Sequence, residues 1–223
     1  MNRSRSVKPP KGGPRRGDGW QAEKSALTRT AILDAAIECF VKHGYAGTTT
    51  AMIAEEAGVS RGAMMHHFPS RGAVIKAVVE HLHAKRIGEY SALMKGIDLP
   101  DTQLTRAAIK TSVENSWRYV NLSSFVAYHE LLMAARTDPE LNEVMQRSEK
   151  DYESMFLETV RTVFPHWQKS PVLELANDIV QFTMRGMAMS HLGTRRQARA
   201  KRVIEHLTDL LVQLYSNAPP PRG

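Results

Sequence analysis

The side chains best placed to do chemistry in this sequence lie between Thr48 and Arg71. Three threonines, Thr48, Thr49 and Thr50, precede a short amphipathic stretch. Ser60 and Arg61 open a second, which continues through Gly62, Ala63, Met64, Met65, His66 and His67, and Arg71 follows the break at Phe68-Pro69-Ser70. A hydroxyl beside the free backbone N–H groups of a helix start favours phosphate, and Thr49 or Thr50 would present one there. Arginine at the start of a helix can fork onto a guanine edge, which gives Arg61 a role. Gly62 and Ala63 are small enough to let the helix backbone approach a groove, and the Ala63 methyl suits a thymine methyl. Met64 fits an inward core position. These residue types bind and read a polyanion; they do not break bonds.

Other chemistries find no support in the residue spacing. No nucleophile–base pair, metal-ligand spacing or Gly-rich phosphate loop is present. His66 and His67 are neighbours and diverge by about 100° on a helix, and His81 and His83 diverge too, so neither pair makes a metal site. The single cysteine, Cys39, excludes an internal disulfide framework and a cysteine-based zinc cluster. No cofactor, metal or catalytic residue is expected.

The elements that must position these residues read as helix after helix. Ile32, Ala35, Ala36, Cys39 and Phe40 recur at spacings of three and four, which predicts an amphipathic helix ending near His43-Gly44 with glycine as its cap. Thr49 is the expected N-cap of a helix over roughly 50–57 that turns Ile53, Ala54 and Ala57 inward. Gly58 makes the turn, Val59 plugs the core, and Ser60 caps a third helix of about seven residues. Ser70 can cap a fourth, with Val74, Ile75, Val78, Val79 and Leu82 on one stripe, running to about residue 93. Two short helices joined by a tight turn form a helix-turn-helix, whose second helix fits the major groove of DNA. Further helices are predicted near 101–119, 122–136, 139–164, 171–192 and 196–216. The fold class is therefore all-α, about nine helices.

Four segments follow: a basic N-terminal arm over 1–27, a helix-turn-helix domain over 28–85, a larger helical bundle over 86–216 and a tail over 217–223. The net charge is +7, and the arm holds seven Lys/Arg against Asp18 and Glu23. With little to bury, the arm and the Pro-rich tail are expected to be disordered. The arm's charge would suit sequence-independent phosphate contacts or solubility alone. The longest apolar run, Leu131 to Ala135, is far short of the roughly 20 residues of a membrane span. No apolar segment follows the basic start, so a cytoplasmic protein is expected.

The segment over about 28–82 resembles the DNA-binding domain of the TetR family of bacterial transcriptional regulators. The resemblance rests on Gly44-Tyr45, Thr48-Thr49, Ile53-Ala54, Ala57-Gly58-Val59-Ser60, His66-His67-Phe68 and Arg71. It implies DNA contacts from Thr48, Thr49, Thr50, Ser60, Arg61, Gly62, Ala63, Met65, His66, His67 and Arg71, with His66 toward the DNA, His67 beside the backbone or Phe68, and Arg71 clamping a phosphate. Met65 departs from the family, which usually places a phosphate-binding tyrosine there.

The resemblance also implies a C-terminal block that dimerises through its last two helices and encloses a small-molecule pocket. Ile179, Met184, Val203, Leu207 and Leu211 are the expected dimer residues. The candidate pocket residues are Trp117, Phe125, Tyr128, His129, Met133, Tyr152, Phe156, Phe182 and Met187, since apolar walls and adaptable methionines suit such sites. Glu130 is expected to pair with an arginine such as Arg118, or to select a cationic ligand if buried. The basic run Arg195, Arg196, Arg199, Lys201 and Arg202 reads as a solvated face. The expected function is a ligand-responsive repressor that binds a pseudo-palindromic operator as a homodimer and is released by a small apolar or amphipathic ligand. A ligand-independent DNA binder, a protein-binding adaptor of the same fold and a helical-bundle enzyme stand as alternatives.

Overall fold

A computed structural model describes residues 16–97, 105–164, 171–190 and 196–217. Nine helices run through them: α1 (Arg16–Gly47), α2 (Thr50–Glu56), α3 (Arg61–His67), α4 (Arg71–Met94), α5 (Arg106–Tyr119), α6 (Ser123–Ala134), α7 (Pro139–Val163), α8 (Pro171–Met189) and α9 (Arg196–Ser216). The described residues contain no strand. Residues 1–15, 101–104, 191–195 and 218–223, on which parts of the expected arm, helices, basic run and tail fall, lie outside the described residues.

Helix starts follow the caps that the sequence supplies. Thr49 Oγ1 accepts from the Met52 N–H at 3.2 Å, Ser60 Oγ from Ala63 at 3.1 Å and Ser70 Oγ from Ala73 at 3.1 Å. Asp138 caps α7 through the Leu141 N–H at 3.0 Å, with Pro139 in the first turn. Each such cap contributes about 1 kcal/mol.

Two expectations about the first helix need correction. Residues 16–27, assigned to a disordered arm, are helical. Trp20 and Leu27 on this extension stay largely exposed, so burial does not hold it. Extension from an already packed helix needs no new nucleus, and Gln21, Ala22, Glu23 and Lys24 are good helix formers. At the other end Gly44 has positive φ, as expected of a cap, but with φ 70 and ψ 167 it lies in an extended region that only glycine visits. The helix kinks there and resumes.

Packing divides the chain differently from the sequence. One cluster joins Ile32, Ala36 and Phe40 of α1, Ile53 of α2, Met64 of α3 and Val74, Val78 and Leu82 of α4 to Tyr128 and Leu131 of α6 and Leu141 and Met145 of α7. The helix-turn-helix head therefore completes its core with two helices from beyond residue 85. A second cluster unites Tyr90, Ile109, Tyr119, Phe125, Tyr152, Phe156, Met184, Leu207 and Leu211 from α4 through α9.

That second cluster corrects three of the dimer residues. Met184, Leu207 and Leu211 are buried inside the protomer. The apolar face left exposed on α8 carries Leu175, Phe182 and Met189, with Ile179 half-buried on the same stripe, and α9 exposes Val203 and Leu210. Both helices are apolar on two sides, and periodicity alone does not say which side turns inward.

Candidate DNA-binding face and its anchorage

The polar face of α3 follows from how little of the helix is buried. Met64 and the capping Phe68 are each 2% exposed and hold the helix down, while Arg61, Gly62, Met65 and His66 point outward. Ala63 and His67 lie between, and the His67 ring sits 6.5 Å from that of Phe68. The turn before α3 is fixed by Gly58 at φ 65 and by the Val59 N–H donating to the Ala54 carbonyl at 2.9 Å. Ser60 spends its hydroxyl on the cap. Thr49 is exposed at the start of α2, and Thr50 is half-buried. Arg29, which the sequence did not single out, lays its guanidinium 4.5 Å from the Phe68 ring centre, adding a cation at the far end of α3.

Two of the expected DNA contacts, Thr48 and Arg71, spend their polar atoms on the protein's own backbone. Thr48 is 1% exposed, and its hydroxyl donates to the Gly44 carbonyl at 2.8 Å. Arg71 donates to the carbonyls of Thr48 and of Tyr45, the latter at 3.0 Å, and stacks 4.9 Å from the Tyr45 ring centre. Its fork is thus spent on carbonyls just past the Gly44 kink, of which that of Tyr45 also accepts the Thr48 N–H at 3.3 Å. Glu130 is not paired with Arg118, whose guanidinium donates to Asn115 at 3.2 Å. Its Oε1 accepts the Tyr45 N–H at 3.0 Å, while the Tyr45 hydroxyl donates to Asp138 at 3.0 Å. Tyr45 therefore ties the head to both α6 and α7. The Leu141 N–H and the Tyr45 hydroxyl together hold the Asp138 carboxyl below its ordinary value.

The candidate pocket residues fall into separate groups. Phe125, Tyr128, His129, Tyr152, Phe156 and Met187 are buried. Met133 is 41% exposed. Trp117 belongs to a surface groove between α5 and α9, under the Arg196 guanidinium. Phe182 stands at a cleft of about 250 Å³ between α7 and α8, lined also by Glu149, Tyr152, Phe156, Gln181 and Arg185. At the centre lies a residue that sequence reasoning missed. Arg86 is fully buried, 3.7 Å from the Tyr128 ring centre and 4.3 Å from that of Tyr152. Its signal was legible as an arginine on the buried stripe of α4, in step with Leu82, His83 and Tyr90. Burial pushes His83 and His129 down to about 4, with the Arg86 charge adding to both shifts, so both rings are neutral at pH 7. Among the described residues there is no group of three His, Cys, Asp or Glu able to hold a metal ion, and no helix is long and apolar enough to cross a membrane.

This head matches a known pattern: residues 32–78 fit the family described as bacterial regulatory proteins, tetR family. The HTH-type transcriptional regulator CymR of Pseudomonas putida is 31% identical over 128 residues, covering 57% of this chain and 61% of that protein. TtgR of Pseudomonas putida is 44% identical over 61 residues, 27% of this chain and 29% of that one. The repressor AcnR of Corynebacterium efficiens is 29% identical over 139 residues, 62% and 65% of the two chains. The alignments thus span less than two thirds of these relatives. In overall fold the chain is similar to a putative TetR-family transcriptional regulator from Mesorhizobium loti (TM-score 0.66, 15% identity, 85% of this chain and 97% of that one) and to GusR of Salmonella enterica (TM-score 0.59, 19% identity, 84% and 95%). Residues 32–78 thus carry the helix-turn-helix of the tetR family's model, at the N-terminal end of the described helices. The curated relatives it resembles bear the names of transcriptional regulators.

Proposed function

We propose that this protein is a ligand-responsive transcriptional repressor that binds a pseudo-palindromic operator as a homodimer. The observation that carries the reading is the outward face of α3, where Arg61, Gly62, Met65 and His66 stand on a helix held rigidly by Met64 and Phe68. Thr49, exposed at the start of α2, supplies a phosphate contact. Ser60, Ala63 and His67 flank the reading face, and Thr50 lies beside the phosphate contact. Met65 replaces a phosphate bond with apolar contact to a base methyl or sugar edge.

The exposed stripe of Leu175, Phe182 and Met189, beside Val203 and Leu210 on α9, supports self-association. A two-fold dimer places its recognition helices one DNA turn apart, about 34–36 Å. The cleft between α7 and α8 supports an effector site. An effector acts only through preference for the conformation that does not bind DNA.

The test is binding of the purified protein to DNA fragments from around its own coding locus against a scrambled duplex of equal length. A site bound at least tenfold more tightly, with a symmetric footprint, is the expected result; equal affinity for all duplexes overturns the reading.

A further inference from the structure

The cleft between α7 and α8 carries an uneven charge. Three carboxylates, Glu149, Glu153 and Asp178, line it against one guanidinium, that of Arg185. Glu149 is already engaged, since it accepts the Tyr128 hydroxyl. Arg185 stands two turns beyond Asp178 on α8, about 10 Å along the axis, so it does not neutralise that end. Arg161, the cation that joins the two helices, is spent on Glu158 at 3.0 Å and Glu174 at 2.8 Å. Among the described residues, Glu153 and Asp178 have neither an ion pair nor a hydrogen bond. Exposed carboxylates of this kind hold little by themselves, because water screens them.

A second observation comes from the buried wall of the same cleft. Gln181 is 4% exposed, lines the cleft, and its Oε1 has no hydrogen-bond partner. A buried carbonyl oxygen left unpaired is costly, and it pairs only with a donor. On α8, Asp178, Gln181 and Phe182 follow at spacings of three and four and so share one face; on α7, Glu153, Phe156 and Leu157 do the same. Each helix therefore sets a carboxylate beside apolar surface. Phe156 is buried, whereas Phe182 is 69% exposed. Acceptors without donors of their own, next to aromatic rings, suit a positively charged group that brings N–H bonds.

We propose that the effector site takes a small organic cation. Its ammonium or amidinium end lies between Glu153 and Asp178 and donates to Gln181 Oε1, and its apolar body lies against Phe156, Leu157 and Phe182. Hydrogen bonds between ionised partners are the strong ones, and aromatic faces add to the attraction for a cation. A cleft of about 250 Å³ falls below the roughly 300–1,000 Å³ of sites for drug-sized ligands, which restricts the cation to a compact body. The proposal rests on the ligand-responsive reading of the fold, but its binding test needs no DNA.

Benzylamine, 2-phenylethylamine and benzamidine are compared with benzyl alcohol and benzoate by calorimetry and thermal melting on the full chain, at neutral pH and one ionic strength. The three cations are expected to bind and raise the melting temperature, and the alcohol and the anion to do neither. A variant carrying both Glu153→Gln and Asp178→Asn, at exposed positions, should melt like wild type and weaken cation binding by on the order of tenfold or more. Gln181→Met keeps the length of the side chain but removes the carbonyl, and should weaken cation binding by roughly fivefold. Phe182 is left unchanged in both variants, because it also stands on the stripe proposed for self-association. A wild type indifferent to all three cations, benzyl alcohol bound as tightly as benzylamine, or cation binding unchanged in either variant overturns the assignment. Release of operator DNA by the alcohol or the anion, with no response to the cations, overturns the cation site while leaving ligand-responsive repression standing. Cation binding that leaves DNA affinity untouched supports the site and removes the regulatory reading instead.

Discussion

The backbone N–H of Tyr45 donates to the Glu130 carboxylate at 3.0 Å, and that carboxylate lies against the bare Cα of Gly44. A Cβ built on Gly44 would stand 2.9 Å from Glu130 Oε1. The residue's φ of 70 with ψ near 167 is costly for any other side chain. The glycine thus meets two demands at once, a backbone bend and a close approach.

Gly44→Ala is therefore expected to destabilise the protein by about 1–3 kcal/mol, part strain and part displacement of Glu130. Thermal melting checks it. Gly44→Ala in a Glu130→Ala background should cost less than the sum of the two single changes; strict additivity would separate the strain from the contact.

Arg61 and Arg71 should behave oppositely. Arg61 is exposed on α3, so Arg61→Ala should leave the melting temperature near wild type and weaken operator binding by about 1–3 kcal/mol, relaxing one base preference. Arg71 is bound to the carbonyls of Tyr45 and Thr48, so Arg71→Ala should lower stability by roughly 1–3 kcal/mol and leave the salt dependence of DNA binding close to wild type. A salt slope flattened by about one unit in a fully stable Arg71→Ala protein would assign the side chain to a phosphate after all.

Acid should unfold this protein through His83 and His129. Both are held near 4 in the folded chain against an ordinary 6.5, so between about pH 6.5 and 4 the unfolded chain binds protons that the native one refuses. Stability is then unaffected by these groups above about pH 6.5, falls as the pH drops through that window, and levels off below it. The loss is at most about 3 kcal/mol per histidine. Denaturant melts at pH 7.5, 6.0 and 5.0 measure it, and replacing either histidine by glutamine should flatten the slope by about half.

Self-association should depend on the exposed stripe and not on its buried neighbours. Phe182→Glu and Leu210→Glu should yield folded monomers by light scattering, with melting curves that remain cooperative. A dimer that survives both changes would place the interface elsewhere.

Much of the head was legible because local chemistry alone decides it. Thr49, Ser60 and Ser70 each cap the helix expected of them, and Ile53, Ala54, Gly58 and Val59 form the turn as their sizes require. What the sequence hid is long-range. Arg71 reads as a phosphate clamp until the carbonyls around Gly44 come into reach, and Glu130 reads as a partner of Arg118 until α6 lies against α1. Thr48 and Thr49 are adjacent and chemically identical, yet one is buried and the other caps a helix. Met133 and Met184 show the same limit: in helices apolar on two sides, only the packing decides that one is exposed and the other enclosed.

Helix α6 serves two masters within one turn. Tyr128 closes the box around Arg86, and Glu130, two residues on and about 3 Å further along the axis, grips the neck of the head. A helix of this length does not flex between them, so a change that re-aims the first also re-aims the second. The cleft, by contrast, is lined by Phe156, Leu157, Gln181 and Phe182 of α7 and α8, none of which makes the Tyr45 contacts. Along α6, the packing around Arg86 and the hold on the head would have to be re-optimised together.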